Sequence, residues 1–189
     1  MHAVADFLFE VGFLHKTPRT GYRFLGSGTE SVSEHSFRSA VIGYVLSKMR
    51  PDSDPCKLIT MCLFHDLTEA RTGDQNYVYK QYVTVNEEKA IRHFCNSLPF
   101  GSELGEILAE YKSRSSLEAR LAHDADQLDL LLALKEQKDM GNSHADEWVP
   151  HLLKRLYSDE ARSLAETIQR RNHKDWWFSD HEEWWTPDV

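Results

Sequence analysis

The sequence predicts an all-α domain. Apolar residues recur at helical spacing along most of the chain, runs of strict apolar–polar alternation are scarce, and Gly and Pro gather at a few junctions. Residues 2–14 put Val4, Phe7, Leu8, Val11 and Leu14 on one helical stripe. Residues 15–30 hold one Pro and three Gly and read as a loop. Ser31 with Glu34 is a capping box that opens a helix to about Arg50, with Phe37, Ala40, Val41, Tyr44 and Val45 as its apolar face. Asp54 before Pro55 starts the next helix, because proline fits the first helical position; it runs to about Arg71 and Gly73 stops it. A polar and aromatic loop over 74–83 leads to helices over 84–97 and 102–114. Ser115 with Glu118 is a second capping box, opening a Leu-rich helix to about Met140. A helix pair over 145–157 and 159–172 precedes a Trp-rich tail.

Length and composition bound the function. The 189 residues make one domain, 1–189, including the tail from about 173. With 41% apolar and 28% charged residues the composition is that of a globular protein. A net charge of −8 gives nothing to the counterion release that drives duplex binding, so nucleic acid is not an expected partner. A local basic pocket for a small phosphate remains compatible with that charge. Three cysteines without a CxxC pair fit a reducing, cytoplasmic setting. Asp6 and Glu10 interrupt the apolar N-terminus, which therefore does not read as a signal peptide. The longest apolar stretches, such as Leu130–Leu134, fall far short of the roughly 20 residues a membrane helix needs.

Four residues stand out for chemistry: His35, the adjacent His65 and Asp66, and Asp126, each inside an expected helix with an apolar face. Buried imidazoles and carboxylates need partners, and two of each satisfy one another around a divalent cation. The mixed nitrogen–oxygen set suits Mn, Fe, Co, Ni or Zn better than Mg. Glu69 follows His65 by four residues, one turn along the same helix face and within one water of such an ion. Gly73 lets the chain turn sharply and aim Asp74 back toward the same place.

SVSEHS at 31–36, FHDLTEARTGD at 64–74 and HDADQLD at 123–129 resemble the successive motifs of the HD-domain metal-dependent phosphohydrolases. With PRT at 18–20, the set is most similar to the 5′-deoxynucleotidase branch, over roughly residues 5–140. The resemblance implies a compact helical bundle, usually a homodimer, with one divalent metal. By position His35, His65, Asp66 and Asp126 match the metal ligands, Glu69 the acid/base group, Asp74 a second carboxylate of the site, and Arg19 an arginine that holds the substrate phosphate. The implied reaction is metal-assisted attack of water on the phosphorus of a small phosphorylated substrate, a nucleoside 5′-monophosphate in this branch. Glu69 or Asp74 would orient the water or protonate the leaving 5′-oxygen, and the division between them stays open.

Plainer readings stand beside these. Arg19 is also able to pair with a surface carboxylate, and Lys80 either reaches the phosphate or faces solvent. Asp124 lies about 200° around the helix from Asp126, so both cannot face one ion; the family pattern favours Asp126, with Asp129 behind it. His93 and His123 lack the spacing of the binuclear relatives. Ala70 after Glu69 departs from the Glu-Asp pair of guanosine tetraphosphate hydrolases. Thr20 stands where bacterial members of the branch carry a Trp that bars ribose, which opens the choice between ribose, deoxyribose and another small phosphoester. A non-catalytic metal- or nucleotide-binding module would dispense with Glu69 and Asp74, and both are present. The tail with Trp176, Trp177, Trp184 and Trp185 reads as a strap on its own domain or on a second copy, and its acids argue against stacking on nucleic acid.

Overall fold

The computed structural model describes residues 1–178, and nearly all of the regular structure there is helical. α1 (His2–Gly12) passes into a tight 3₁₀ turn, Phe13–Lys16, so the helix expected over 2–14 breaks at Gly12 and Leu14 is buried from the turn. The expected loop over 15–30 contains one short helix, α2 (Tyr22–Leu25), closed by Gly26 at φ 76°. An isolated antiparallel bridge joins Pro18 to Ser31, with Arg19 N–H donating to the Glu30 carbonyl at 2.8 Å and Val32 N–H to that of Thr17 at 2.9 Å. That bridge ties the loop to the start of the next helix.

α3 (Val32–Met49) is capped as the sequence reads: Ser31 accepts from the Glu34 N–H, and the Glu34 carboxylate accepts from that of Ser31. Of its expected apolar face only Ala40 is buried. Phe37, Val41, Tyr44 and Val45 point outward, at 69%, 48%, 49% and 40% exposure. The inward face carries His35, Ser36, Ser39, Ala40, Ile42, Gly43 and Leu46. Two demands turn the helix. His35 must meet partners on α8, and small side chains let α3 pack closely on α4 (Pro55–Phe64) and α8 (Leu117–Asp139). A Cβ built on Gly43 would stand 2.8 Å from the Cys62 sulfur, so this crossing has no room for a larger residue.

α4 begins where expected, with Asp54 accepting from the N–H groups of Cys56 and Lys57. At α8 the cap is Ser116, not Ser115; it accepts from the Ala119 N–H. Glu118 therefore makes no capping box and reaches the Asp54 N–H at 2.9 Å, joining the starts of the two helices. α6 (Glu87–Ser97) starts later than 84, at an Asn86 cap, and α7 (Gly101–Ser113) ends at Arg114 in the left-handed region. Leu121, Leu128, Leu131 and Leu134 of α8 are fully buried, each contributing about 1.5–3 kcal/mol. They centre one core with α3, α4, α9 (Ala145–Leu153) and α10 (Asp159–Arg170); Phe7, Leu14, Leu67, Phe94 and Leu104 belong to a second.

α9 stops at Leu153 and not at 157 because Asp124 of α8 captures the next backbone. Its fully buried carboxylate accepts from Tyr157 N–H at 2.7 Å, Ser158 N–H at 2.9 Å and the Ser158 hydroxyl at 2.6 Å. Asp124→Ala strands those donors and is expected to cost about 2–4 kcal/mol, measured by urea unfolding, with metal binding retained. The segment from His173 is tied back by its N–H to Asp139 at 2.8 Å. A short helix, α10's successor α11 (Asp175–Phe178), carries Trp176, which is 75% exposed, and Trp177, which packs edge-on against Phe178. The rest of the expected strap, with Trp184 and Trp185, lies outside the described residues. Among the described residues no helix is long and apolar enough to cross a membrane.

Candidate metal centre and active site

The expected helix through His65, Asp66 and Glu69 is interrupted at the centre itself. α4 ends at Phe64, a turn spans 65–68, and α5 (Glu69–Thr72) is a single turn. His65 Nδ1 bonds the Cys62 carbonyl at 2.8 Å, which is the acceptor that the Asp66 N–H would use in a continued α-helix. The N–H groups of Leu67, Glu69, Ala70 and Arg71 then bond carbonyls three residues back. The break frees the His65–Asp66 pair to converge with α3 and α8.

Four side chains meet there. His35 Nε2 lies 3.1 Å from His65 Nε2, 3.3 Å from Asp126 Oδ1 and 3.5 Å from Asp66 Oδ2. His65 Nε2 is 3.2 Å from Asp66 Oδ2 and 3.9 Å from Asp126 Oδ1. The donor atoms of His35, His65 and Asp126 all fit within 4.8 Å of one another, as one small cation requires. Burial works against both carboxylates, but the two imidazoles and Arg19 hold Asp66 and Asp126 well below the usual carboxylate range. Burial and the Arg19 charge oppose protonation of His35, yet Asp126 and Asp129 outweigh them and push its imidazole up to about 10. Two ionised carboxylates and two imidazoles turned toward one point are a donor set that fits a divalent ion, which would replace the His35 proton there.

Both imidazoles are oriented from behind. The Cys62 carbonyl holds His65, and Asp129 Oδ2 takes His35 Nδ1 at 2.6 Å. Asp129 is fully buried, and its other oxygen accepts from Arg38 Nε. Arg38 also bonds Glu30 and Glu136, each at 3.1 Å. Glu30, His35 and Asp129 form a second acidic group, but the Arg38 guanidinium already supplies its cation. With Nδ1–H given to Asp129, His35 turns Nε2 toward the centre, where a bound cation would take the place of the Nε2 proton. Asp129→Asn is expected to weaken cobalt affinity by about 10–100-fold, measured by calorimetry.

The centre opens into a cavity of about 600 Å³ lined by Arg19, Asp66, Glu69, Asp74, Lys80 and Asp126 among others. Glu69 is largely buried with Oε2 unpartnered; burial first, then the Asp66 and Asp74 charges, push its carboxyl up to about 9. Arg19 Nη1 sits 3.1 Å from Asp66 Oδ2 and 3.8 Å from Asp74 Oδ1, so it pairs with carboxylates of the site and not with a surface acid. Lys80 lies exposed at the rim, on the 3₁₀ turn Tyr79–Gln81. Sequence reasoning missed Arg38 and Tyr111. Arg38 is one turn beyond His35, a spacing that had a signal; the Tyr111 ring reaches His65 at 5.2 Å from α7, and nothing local announces it.

This fold and centre define an all-α protein with a buried nitrogen–oxygen cation site at the floor of a large cavity. The HD domain family model matches residues 11–169, and the chain belongs to that family. The human protein named 5′-deoxynucleotidase HDDC2 is 33% identical over 144 residues, 73% of this chain and 70% of its own. The Saccharomyces cerevisiae protein named 5′-deoxynucleotidase YBR242W is 31% identical over 68% of this chain and 58% of its own. A conserved hypothetical protein from Pyrococcus furiosus superposes with a TM-score of 0.73 at 28% identity, covering 88% of this chain and 99% of that one.

Proposed function

We propose that this protein is a metal-dependent phosphohydrolase that releases phosphate from nucleoside 5′-monophosphates. The observation that carries the reading is the convergence of His35, His65 and Asp126 on one point, with Asp66 against both imidazoles, beside Glu69 and Arg19, in a cavity far larger than a phosphate. Those four side chains would hold the ion, and their mixed donors favour Mn, Co, Fe, Ni or Zn. When bound, a divalent cation supplies positive charge to the phosphoryl oxygens and acidifies a water. Arg19 offers its guanidinium to the phosphate oxygens, and Lys80 adds a cation at the rim. Glu69, whose carboxyl holds its proton at neutral pH, gives that proton to the leaving 5′-oxygen.

The human and yeast relatives are named 5′-deoxynucleotidases, which supports the nucleotide class. Thr20, which stands where a Trp bars ribose in bacterial members, is buried against Asp74 and does not itself line the cavity, whereas Tyr22, Tyr77 and Trp148 do, so the choice between ribose and deoxyribose rests with the substrate panel below. Two copies pair through the outward face of α3, where Phe37, Val41, Tyr44 and Val45 are exposed. Three unpaired cysteines support a reducing, cytoplasmic setting. The deciding experiment measures phosphate release from ribo- and deoxyribonucleoside 5′-monophosphates, with the 3′-monophosphates as controls, in manganese and in cobalt. No release from any of them in either metal would leave a binding module in place of an enzyme.

A further inference from the structure

Asp74 and Glu69 are both carboxylates of the cavity wall, and their surroundings differ. Asp74 Oδ2 accepts two hydrogen bonds from Thr20, one from the main-chain N–H at 2.5 Å and one from the hydroxyl at 2.6 Å. The Thr20 hydroxyl has a single proton, and that proton goes to Asp74 because Asn76 Nδ2 donates to the same oxygen at 2.9 Å. Asn76 Oδ1 accepts from the N–H groups of Val78 and Tyr79, each at 3.0 Å, which fixes the turn that carries Tyr77 and Lys80. Thr20 and Asn76 are both 8% exposed. The loop that presents Arg19 is therefore held from two sides: by the bridge at Pro18 and Ser31, and by Asp74 through the residue next to Arg19. Glu69 Oε2, by contrast, is buried and has no hydrogen-bond partner among the described residues.

A main-chain N–H has no lone pair to take a proton, so Asp74 Oδ2 must present a lone pair to Thr20 for this contact to exist. Its other oxygen faces Arg19 at 3.8 Å. We infer that Asp74 is a positioning residue which, through Thr20 and Asn76, seats Arg19 beside the metal centre, and that Glu69 alone carries the proton of the reaction. The inference rests on the phosphohydrolase reading above. In that reaction a bond forms between water oxygen and phosphorus, and the bond from phosphorus to the 5′-oxygen breaks. Glu69 protonates the leaving oxygen, the attacking water sheds a proton to solvent, and Glu69 regains its own from solvent before the next turnover.

Asp74→Asn can still accept both Thr20 donors through its amide oxygen and cannot carry a proton, while its amide nitrogen gives up only the 3.8 Å charge contact with Arg19. That separates the two roles. With a nucleoside 5′-monophosphate that the wild type hydrolyses, Asp74→Asn is expected to keep kcat within about tenfold of wild type, with the alkaline limb of the pH–rate profile in place. Asp74→Ala and Thr20→Val are expected to raise KM by about tenfold or more and to weaken inorganic phosphate binding in calorimetry to the same extent, and Thr20→Ser to restore both. A thousandfold loss of kcat in Asp74→Asn at unchanged KM, or the loss of a pH limb, overturns the inference and makes Asp74 a proton carrier. Unchanged KM and phosphate affinity in Thr20→Val overturns it as well. If Asp74→Ala fails to fold, the Thr20 pair decides. Absence of phosphate release by the wild type itself defeats the phosphohydrolase reading, and this inference with it.

Discussion

Asp126→Ala is expected to abolish divalent-metal binding and phosphate release together, the latter by more than about a thousandfold. Asp126 Oδ1 is the carboxylate oxygen nearest His35 Nε2, at 3.3 Å, and Gln127 Nε2 holds the other oxygen at 2.9 Å. Losing that side chain removes one of the two carboxylates that balance a cation in a buried place. It also removes one of the two acids that raise His35, so the imidazole titrates lower. Alanine is a good helix former in the middle of α8, and the far-ultraviolet circular dichroism should not change. Metal content after dialysis, read by mass spectrometry, is the measurement. Asp124→Ala, two residues away, is the control: it should lose stability and keep its metal, since Asp124 serves Tyr157 and Ser158. Full metal occupancy in Asp126→Ala would remove Asp126 from the ligand set.

Glu69→Gln is expected to lower kcat by about 10²–10⁴ while metal binding persists. Glutamine fills the same volume and cannot give up a proton. The pH dependence follows from the raised carboxyl. With its folded pKa pushed up to about 9, Glu69 is protonated at neutral pH, and activity falls as pH rises through that value. A cation beside Asp66 cancels part of the charge that raises Glu69, so the alkaline limb falls at or below pH 9. The same shift affects stability. The unfolded carboxyl releases its proton near pH 4.3, whereas the folded one keeps it until near 9. The stabilisation from the buried protonated group is therefore complete below about 4.3 and is lost progressively as pH rises toward 9. Glu69→Gln lacks that loss and should melt at a higher temperature than wild type at pH 9, with the two converging at low pH. An unchanged kcat in Glu69→Gln would take the proton-carrying role away from this residue.

The helices and the cation-binding residue types were legible because their signals are local. Ser31 with Glu34 and Asp54 with Pro55 mark helix starts through contacts within three residues, and both caps are present. The cap at α8 was misplaced by one residue because Glu118 bonds Asp54, a partner 64 positions away. The expected continuous helix through His65 failed for a related reason: an imidazole competed with the backbone for the Cys62 carbonyl, and propensity cannot weigh a side chain against an amide. The apolar stripe of α3 pointed the reading to the wrong face, because hydrophobicity alone assigns Phe37 and Tyr44 to the core ahead of His35 and Ser39.

The sequence by itself determined that this is a helical protein carrying an ordered set of imidazoles and carboxylates able to hold a cation, since periodicity, caps and side-chain chemistry are written residue by residue. Only the tertiary structure decided which face of α3 is buried, which carboxylate Thr20 occupies, and that Asp129 and Arg38 stand behind His35. Those outcomes depend on groups tens of residues apart competing for the same few buried hydrogen bonds, and that competition is settled only when the helices pack.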